Sequence, residues 1–376
     1  MDVIRTRPAV TELRLSSFAS HRGAAFPLGP VTLFAGASGS GKSTALRAYR
    51  ALARLGSGAT LAEVFPDPVA CVPERAAADA EGRRGFRIGC TVDGPAGPVR
   101  LDLAVQAEPA LRIVGERLTG ARGRTLLSTA LVDPGRSTVQ AAWHTGGSVP
   151  VTKAPLPDDR LGTALLPLRV AGSTEGQREV LAAAEQAVVA LRSVFSCDPQ
   201  PARMRTPVVV GEGGRLRSSC ENLAEVLRRT RTECVTRHAA LIAAVNAGCA
   251  GQVDELRTEE LADGRVRALI GRGGFGVSPV ERLGEGELRF LALALVLLTG
   301  PGVLAVDQST ELLPARQALT VLADGFDRCL DARQADELLR LAVGSCGRGH
   351  IRLVAAVGDA GPARELAGVS VVDLVA

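Results

Sequence analysis

Gly36-Ala-Ser-Gly-Ser-Gly41-Lys42-Ser43 has the spacing GxxxxGK[ST], and no other feature of the chain constrains its fold as tightly. A strand must enter such a loop and a helix must leave it. Gly36, Gly39 and Gly41 let the backbone turn sharply and aim its N–H groups at an anion, with Ser38 and Ser40 between them. Lys42 is one of two lysines in a chain with 44 lysines and arginines together. It adds a compact charge where the planar guanidinium fits poorly. The Ser43 hydroxyl is the expected Mg²⁺ ligand, and Thr44 follows in the same helix N-terminus, whose dipole favours phosphate. Val31–Ala35 reads as the apolar strand before the loop and Ser43–Leu55 as the amphipathic helix after it. At the chain's own residue frequencies a chance match is on the order of one in a few hundred, so the segment predicts a nucleoside triphosphate site.

With 376 residues and 46% apolar content the chain can bury a large core, expected in two lobes. Phe290–Val306, the longest apolar stretch, is broken by Thr299-Gly-Pro-Gly302 and is shorter than the roughly 20 residues of a membrane helix. The N-terminus lacks an apolar run of signal-peptide length, which predicts a cytoplasmic protein with no membrane partner. Eight scattered cysteines without metal-ligand spacing read as buried, reduced thiols. A net charge of +4 selects no partner.

Val10–Leu15 alternates as an edge-type strand. Phe86–Val92, Val99–Val105 and Leu111–Val114 read as an antiparallel sheet, and Pro150–Pro167 as a proline-bearing connection. Thr174-x-x-Gln177 opens a helix to Phe195, and Ser218-x-x-Glu221 one running to about Asn246. Expected domains are an ATP-binding lobe over 1–150, a helical insert over 151–262 and a second lobe over 263–376.

Val303-Leu-Ala-Val306 followed by Asp307 reads as a buried strand ending in a Mg²⁺-directed acid, the Walker B arrangement. Just upstream, Leu283-Gly-Glu-Gly-Glu287 turns into the apolar helix Leu288–Leu298. This order resembles the signature and Walker B motifs of ABC-type ATPases, and most of all their RecF/SMC-like branch, one of the predicted AAA-family ATPase groups. Leu13-Arg-Leu-Ser-Ser-Phe18, Arg112–Leu118 and Glu221–Leu227 extend the resemblance over nearly the whole chain. It implies an α/β P-loop NTPase head of ABC/SMC type with an antiparallel β lobe and a helical insert. It further implies ATP and Mg²⁺ as cofactors, and a homodimer closing over ATP with Gly284, Glu285 and Gly286 of one copy facing the other's γ-phosphate. Free N–H groups at that helix start suit such an anion. Arg22 resembles a basic position near the nucleotide, with a surface turn as the equal alternative.

The chain departs from that pattern at the γ-phosphate. The signature serine is Gly284, Gln308 follows Asp307 where the family usually has glutamate, and Gly358 with Asp359 stands where the switch histidine is expected. Glu311 is the alternative base. Loss of a general base commonly costs two to four orders of magnitude in rate, so slow turnover is expected. The resemblance points to a head ATPase acting on DNA or with a separately encoded effector. A nucleotide-gated switch and a transporter ATPase subunit are the alternatives. Arg203–Arg237 is arginine-rich and reads as either a nucleic-acid surface or a solvated helix face.

Overall fold

The computed structural model describes residues 7–146, 150–211, 214–300, 302–306 and 318–375. In chain order the elements are β1 (Ala9–Phe18), β2 (His21–Pro27), β3 (Val31–Ala35), α1 (Lys42–Gly56), α2 (Leu61–Val64), β4 (Arg84–Asp93), β5 (Val99–Glu108), β6 (Arg112–Thr119), β7 (Thr125–Ala130), β8 (Thr138–His144) and β9 (Val151–Pro157). There follow α3 (Gly162–Leu165), α4 (Glu175–Arg192), β10 (Val194–Cys197), α5 (Pro201–Met204), β11 (Val208–Val209), α6 (Leu223–Glu233) and α7 (Val235–Gly248). The remainder are β12 (Glu255–Glu260), β13 (Arg265–Gly271), β14 (Val277–Pro279), α8 (Glu285–Leu298), β15 (Leu319–Ala323), α9 (Ala332–Cys346), β16 (Ile351–Val357) and β17 (Val369–Asp373).

Two units interleave along the chain. One comprises 1–28, 43–194 and 307–318, the other 29–42, 195–306 and 319–376. The three consecutive segments expected above divide the chain differently, because β3 takes its partners from the last quarter of the sequence.

In the first unit an eight-stranded sheet runs in the order β2-β1-β4-β5-β6-β7-β8-β9, antiparallel at each pair whose register is known. Alternation sends Leu13, Ile88, Leu101, Leu118 and Trp143 to a buried face, against which α4 packs. Phe86 contacts Phe18 and Phe65 edge-on at centroid distances of 5.4 and 4.9 Å. The sheet outgrows the three strands expected. β1 lies inside it rather than at its edge, since β4 covers its second side. The proline-bearing stretch becomes β9 because Pro155 and Pro157 fall on the last strand, whose outer side needs no ladder donors.

Buried Glu116 on β6 accepts N–H bonds from Gly162 and Thr163, each at 2.6 Å, and is bonded by the Thr163 hydroxyl. Burial raises its pKa, and these three donors oppose the rise. A carboxyl that binds its proton more tightly folded than unfolded adds stability as pH falls toward the unfolded value and loses it as pH rises through the folded one. Glu116→Gln turns an amide toward the donors. It should cost about 1–3 kcal/mol at neutral pH and remove that acid-side gain, read by urea unfolding across pH.

In the second unit a five-stranded sheet is ordered β10-β15-β16-β3-β17, with β15–β16, β16–β3 and β3–β17 parallel. Every residue of β3 and β15 is buried, as strands covered on both faces require. α8 is buried from Leu288 to Leu297. The helix expected from Ser218 to Asn246 starts later and breaks in the middle: Cys234 is non-helical, with φ −153° and ψ 85°, and separates α6 from α7. β11, β13 and β12 with β14 form a smaller sheet against α6.

Val303–Val306 does not form the expected strand. Leu304 makes a single parallel bridge to Leu216, and the strand entering the parallel sheet beside β16 is β15. All cysteines are free thiols, six of them buried, but Cys234 is half-buried and Cys329 exposed, so the expected burial of all eight is corrected.

Candidate nucleotide site

β3 ends at Ala35, in register with Val357 of β16 and Asp373 of β17, and the loop leaves from that carboxyl edge. Parallel α/β sheets bind ligands at such an edge. Gly36, Gly39 and Gly41 have φ values of 151°, 86° and 94°, conformations that L side chains rarely adopt. A Cβ on Gly36 would lie 2.8 Å from Ser40 Oγ and closer still to the Leu374 carbonyl. The turn is tied by Ser40 N–H to Ala37 O at 3.2 Å.

Lys42 Nζ donates to the carbonyls of Gly36 at 2.6 Å and Ala37 at 2.8 Å, which fixes the ammonium over the loop. The Ser40 hydroxyl is buried without a hydrogen-bond partner among the described residues. A buried hydroxyl left unmatched inside a glycine cradle is explained by a polar ligand, since such groups are otherwise paired. α1 starts at Lys42, one residue earlier than expected, with Ser43 exposed and Thr44 half-buried in its first turn. The cradle fits a phosphate group. Ser38 and Gly39 are exposed on it and Gly41 is half-buried.

Gly284 caps α8 at φ −64° and ψ 159°, so the expected glycine turn into an apolar helix is present. Its N–H is engaged by the Glu287 carboxylate at 3.3 Å, and Glu287 in turn pairs with Arg272 at 3.0 Å. Glu285 accepts from Cys329 Sγ at 3.7 Å. Gly286 lies so close to the Cys329 carbonyl that a Cβ would collide with it. The two acids in the first turn oppose an anion, so this helix start is less receptive than its dipole alone suggests.

Asp307, Gln308 and Glu311 lie outside the described residues. An acid is nevertheless present at the carboxyl edge of β15. Ala323 is in register with Ala355, which is in register with Leu33, so Asp324 follows level with Ala356. It escapes a reading of the sequence because Leu319–Ala323 and Val303–Val306 are both largely apolar stretches followed by an acid. The deciding signal lay just downstream: Asp331-x-x-Gln334 is a capping box, its bonds 2.8 and 3.2 Å, and marks the helix that follows the true sheet strand. Between them, Asp327 accepts the Gly358 N–H at 2.7 Å, tying this turn to the end of β16. Gly358 and Asp359 do follow β16, as expected. Arg22 is exposed on β2 and its neighbour His21 is buried against Phe26.

Among the described residues no helix is long and apolar enough to cross a membrane. The arginine-rich segment is largely neutralised: Arg203 and Arg217 pair with Glu221 at 3.3 and 2.6 Å, Arg229 with Glu233 at 3.0 Å and Arg231 with Glu255 at 3.4 Å.

No protein-family model and no curated protein matches the chain. Solved structures similar to it include an SMC head bound to the C-winged helix domain of ScpA, at 14% identity over 93% of this chain and 90% of that one, TM-score 0.47. The SMC head domain from Thermotoga maritima shares 14% identity over 93% and 89%, TM-score 0.41. An SMC head with an extended coiled coil, bound to the C-terminal domain of ScpA derived from Pyrococcus furiosus, shares 12% over 94% and 90%, TM-score 0.45. At these values the fold of this chain rests on its own strand order and phosphate loop.

Proposed function

We propose that the chain is an ATP-binding head of the ABC/SMC-like kind, RecF-like in its signature region, that turns ATP over slowly and closes as a homodimer. The observation that carries the reading is the phosphate cradle, with glycines at positive φ, an ammonium held over the loop and a buried hydroxyl awaiting a partner. When bound, Mg²⁺ would supply charge neutralisation between the phosphates, and Ser43 is its loop ligand. Its acid is either Asp307 or Asp324, and β15's place in the parallel sheet favours Asp324. Whichever serves, the next residue is Gln308 or Gly325, and neither can act as a base. Slow turnover therefore follows from both assignments unless Glu311 supplies the base.

The acids are separated by Asp324→Asn and Asp307→Asn. We expect Asp324→Asn to weaken Mg²⁺-dependent ATP binding at least tenfold in a fluorescent-nucleotide titration, with Asp307→Asn close to wild type. The reverse ranking returns the metal to Asp307. The whole reading fails if the wild-type chain binds no ATP with Mg²⁺ present.

A nucleotide-gated switch, in which closure itself is the output, is favoured by one observation: Gly284 lacks a hydroxyl and its N–H is taken by Glu287. Turnover by wild type and Gln308→Glu, with and without DNA and alongside the mass in ATP, separates the two. A wild type that is silent yet dimerises on ATP is the switch; a rate raised by DNA is the head ATPase, working on DNA or with a separately encoded effector in the cytoplasm.

A further inference from the structure

The β4–β5 turn, the β6–β7 turn and the end of β8 meet one face of α4 around a cleft of about 690 Å³ that lies wholly in the first unit. Small-molecule sites fall in the range of about 300–1,000 Å³. The walls are fixed from α4. Its buried Gln186 side chain fastens the β4–β5 turn, accepting the Ala96 N–H at 2.8 Å and donating to the carbonyls of Val92 at 3.0 Å and Gly97 at 2.7 Å. The Thr174 hydroxyl, which caps α4, donates to the Thr145 carbonyl just beyond β8. Gly176 sits so close to Gly146 that a Cβ on it would lie 2.5 Å from the Gly146 nitrogen. Val99, Leu126 and Ala183 close the floor, none of them more than 2% exposed.

The cleft carries two arginines and two glutamates, used in two different ways. Arg124 and Glu179 satisfy each other at 2.9 Å, with His144 Nε2 3.5 Å from the same guanidinium. Arg122 on the β6–β7 turn and Glu175 at the start of α4 are both exposed, and neither side chain forms a hydrogen bond or ion pair among the described residues. Two opposite charges that line one cleft without meeting are complementary to a molecule that meets both. A simple anion would gain Arg122 but face both glutamates, and a simple cation would face both arginines. Between the charges the walls are low, formed by Ala96, Gly97, Gly120 and Ala121. Apart from His144 no aromatic ring lines the cleft among the described residues, so a nucleobase finds no stacking platform there.

We infer that this cleft binds a small zwitterion of the amino-acid or short-peptide class, its carboxylate on Arg122 and its ammonium on Glu175. The site shares no residue with the phosphate loop, and the inference stands whether or not the chain binds ATP.

The test is isothermal titration of the full chain with alanine, alanylalanine, N-acetylated alanylalanine and alanylalanine amide, each at millimolar concentration. It is repeated on Arg122→Gln and Glu175→Gln, with thermal unfolding of every preparation to check the fold. The expected result is that alanylalanine binds and that blocking either end weakens it at least about tenfold, the scale of one charge-assisted hydrogen bond. Arg122→Gln should lose the preference for a free carboxylate and keep the preference for a free amine, and Glu175→Gln should do the reverse. A general loosening of the fold would not exchange these preferences. The inference is overturned if wild type binds neither alanine nor alanylalanine, if the blocked forms bind as tightly as their parent, if inorganic phosphate or putrescine binds more tightly than either, or if the variants keep the wild-type preferences.

Discussion

Lys42→Ala should abolish measurable ATP binding while leaving the fold intact. The side chain is half-buried and its two bonds run to loop carbonyls, so removing it costs the fold little. It costs the ligand the charge-assisted bonds to phosphate. Two such bonds at about 1.5–3 kcal/mol each correspond to roughly two to four orders of magnitude in affinity. Gly36→Ala should fail in a different way. Its φ of 151° and the nearby Leu374 carbonyl and Ser40 hydroxyl force the loop itself to move, so both affinity and thermal stability fall. Isothermal titration and thermal unfolding of the two variants separate charge from shape. A Lys42→Ala chain that binds ATP like wild type removes the cradle as the nucleotide site.

Arg289→Met carries the second large effect. Arg289 is 3% exposed on α8 and donates to the carbonyls of Pro199 at 2.7 Å and Gly325 at 2.9 Å. No carboxylate pairs with it among the described residues, and its Nε has no partner. Methionine fills much of the volume but strands two buried carbonyls, so we expect about 2–5 kcal/mol of destabilisation, measured by guanidinium unfolding. A variant as stable as wild type would mean that burying the charge cost as much as its two bonds returned. Because Gly325 follows Asp324, the loss should also loosen the acid-bearing turn, seen as weaker Mg²⁺-dependent ATP binding at temperatures where the variant is folded.

Much of the site was legible because its demands are local. Gly36, Gly39, Gly41 and Lys42 are fixed by the loop's own dihedral and charge requirements, and Gly284 by the start of α8. What escaped depends on partners far away in sequence. Whether Val303–Val306 or Leu319–Ala323 joins the sheet is decided by which one finds the edge of β16, and periodicity cannot express that. Cys234 broke a helix whose apolar spacing ran on undisturbed. Val151–Pro157 gained a strand because an edge position forgives proline. Arg289 reads as an ordinary polar gap in an apolar helix, and only packing shows that it reaches two loop carbonyls.

The pairing of β3 sets an order on folding as the chain is made. The loop-bearing strand emerges early, yet both of its neighbours, β16 and β17, and the Leu374 carbonyl that packs on Gly36 come from the last residues described. Until those residues are made this fully buried strand has no ladder to join, an exposed edge of the kind that invites wrong pairing. The eight-stranded sheet of the first unit, whose strands are neighbours in sequence apart from the β3–α2 excursion, can form well before. Nucleotide can thus act as a late ligand that reports the arrival of the final strand.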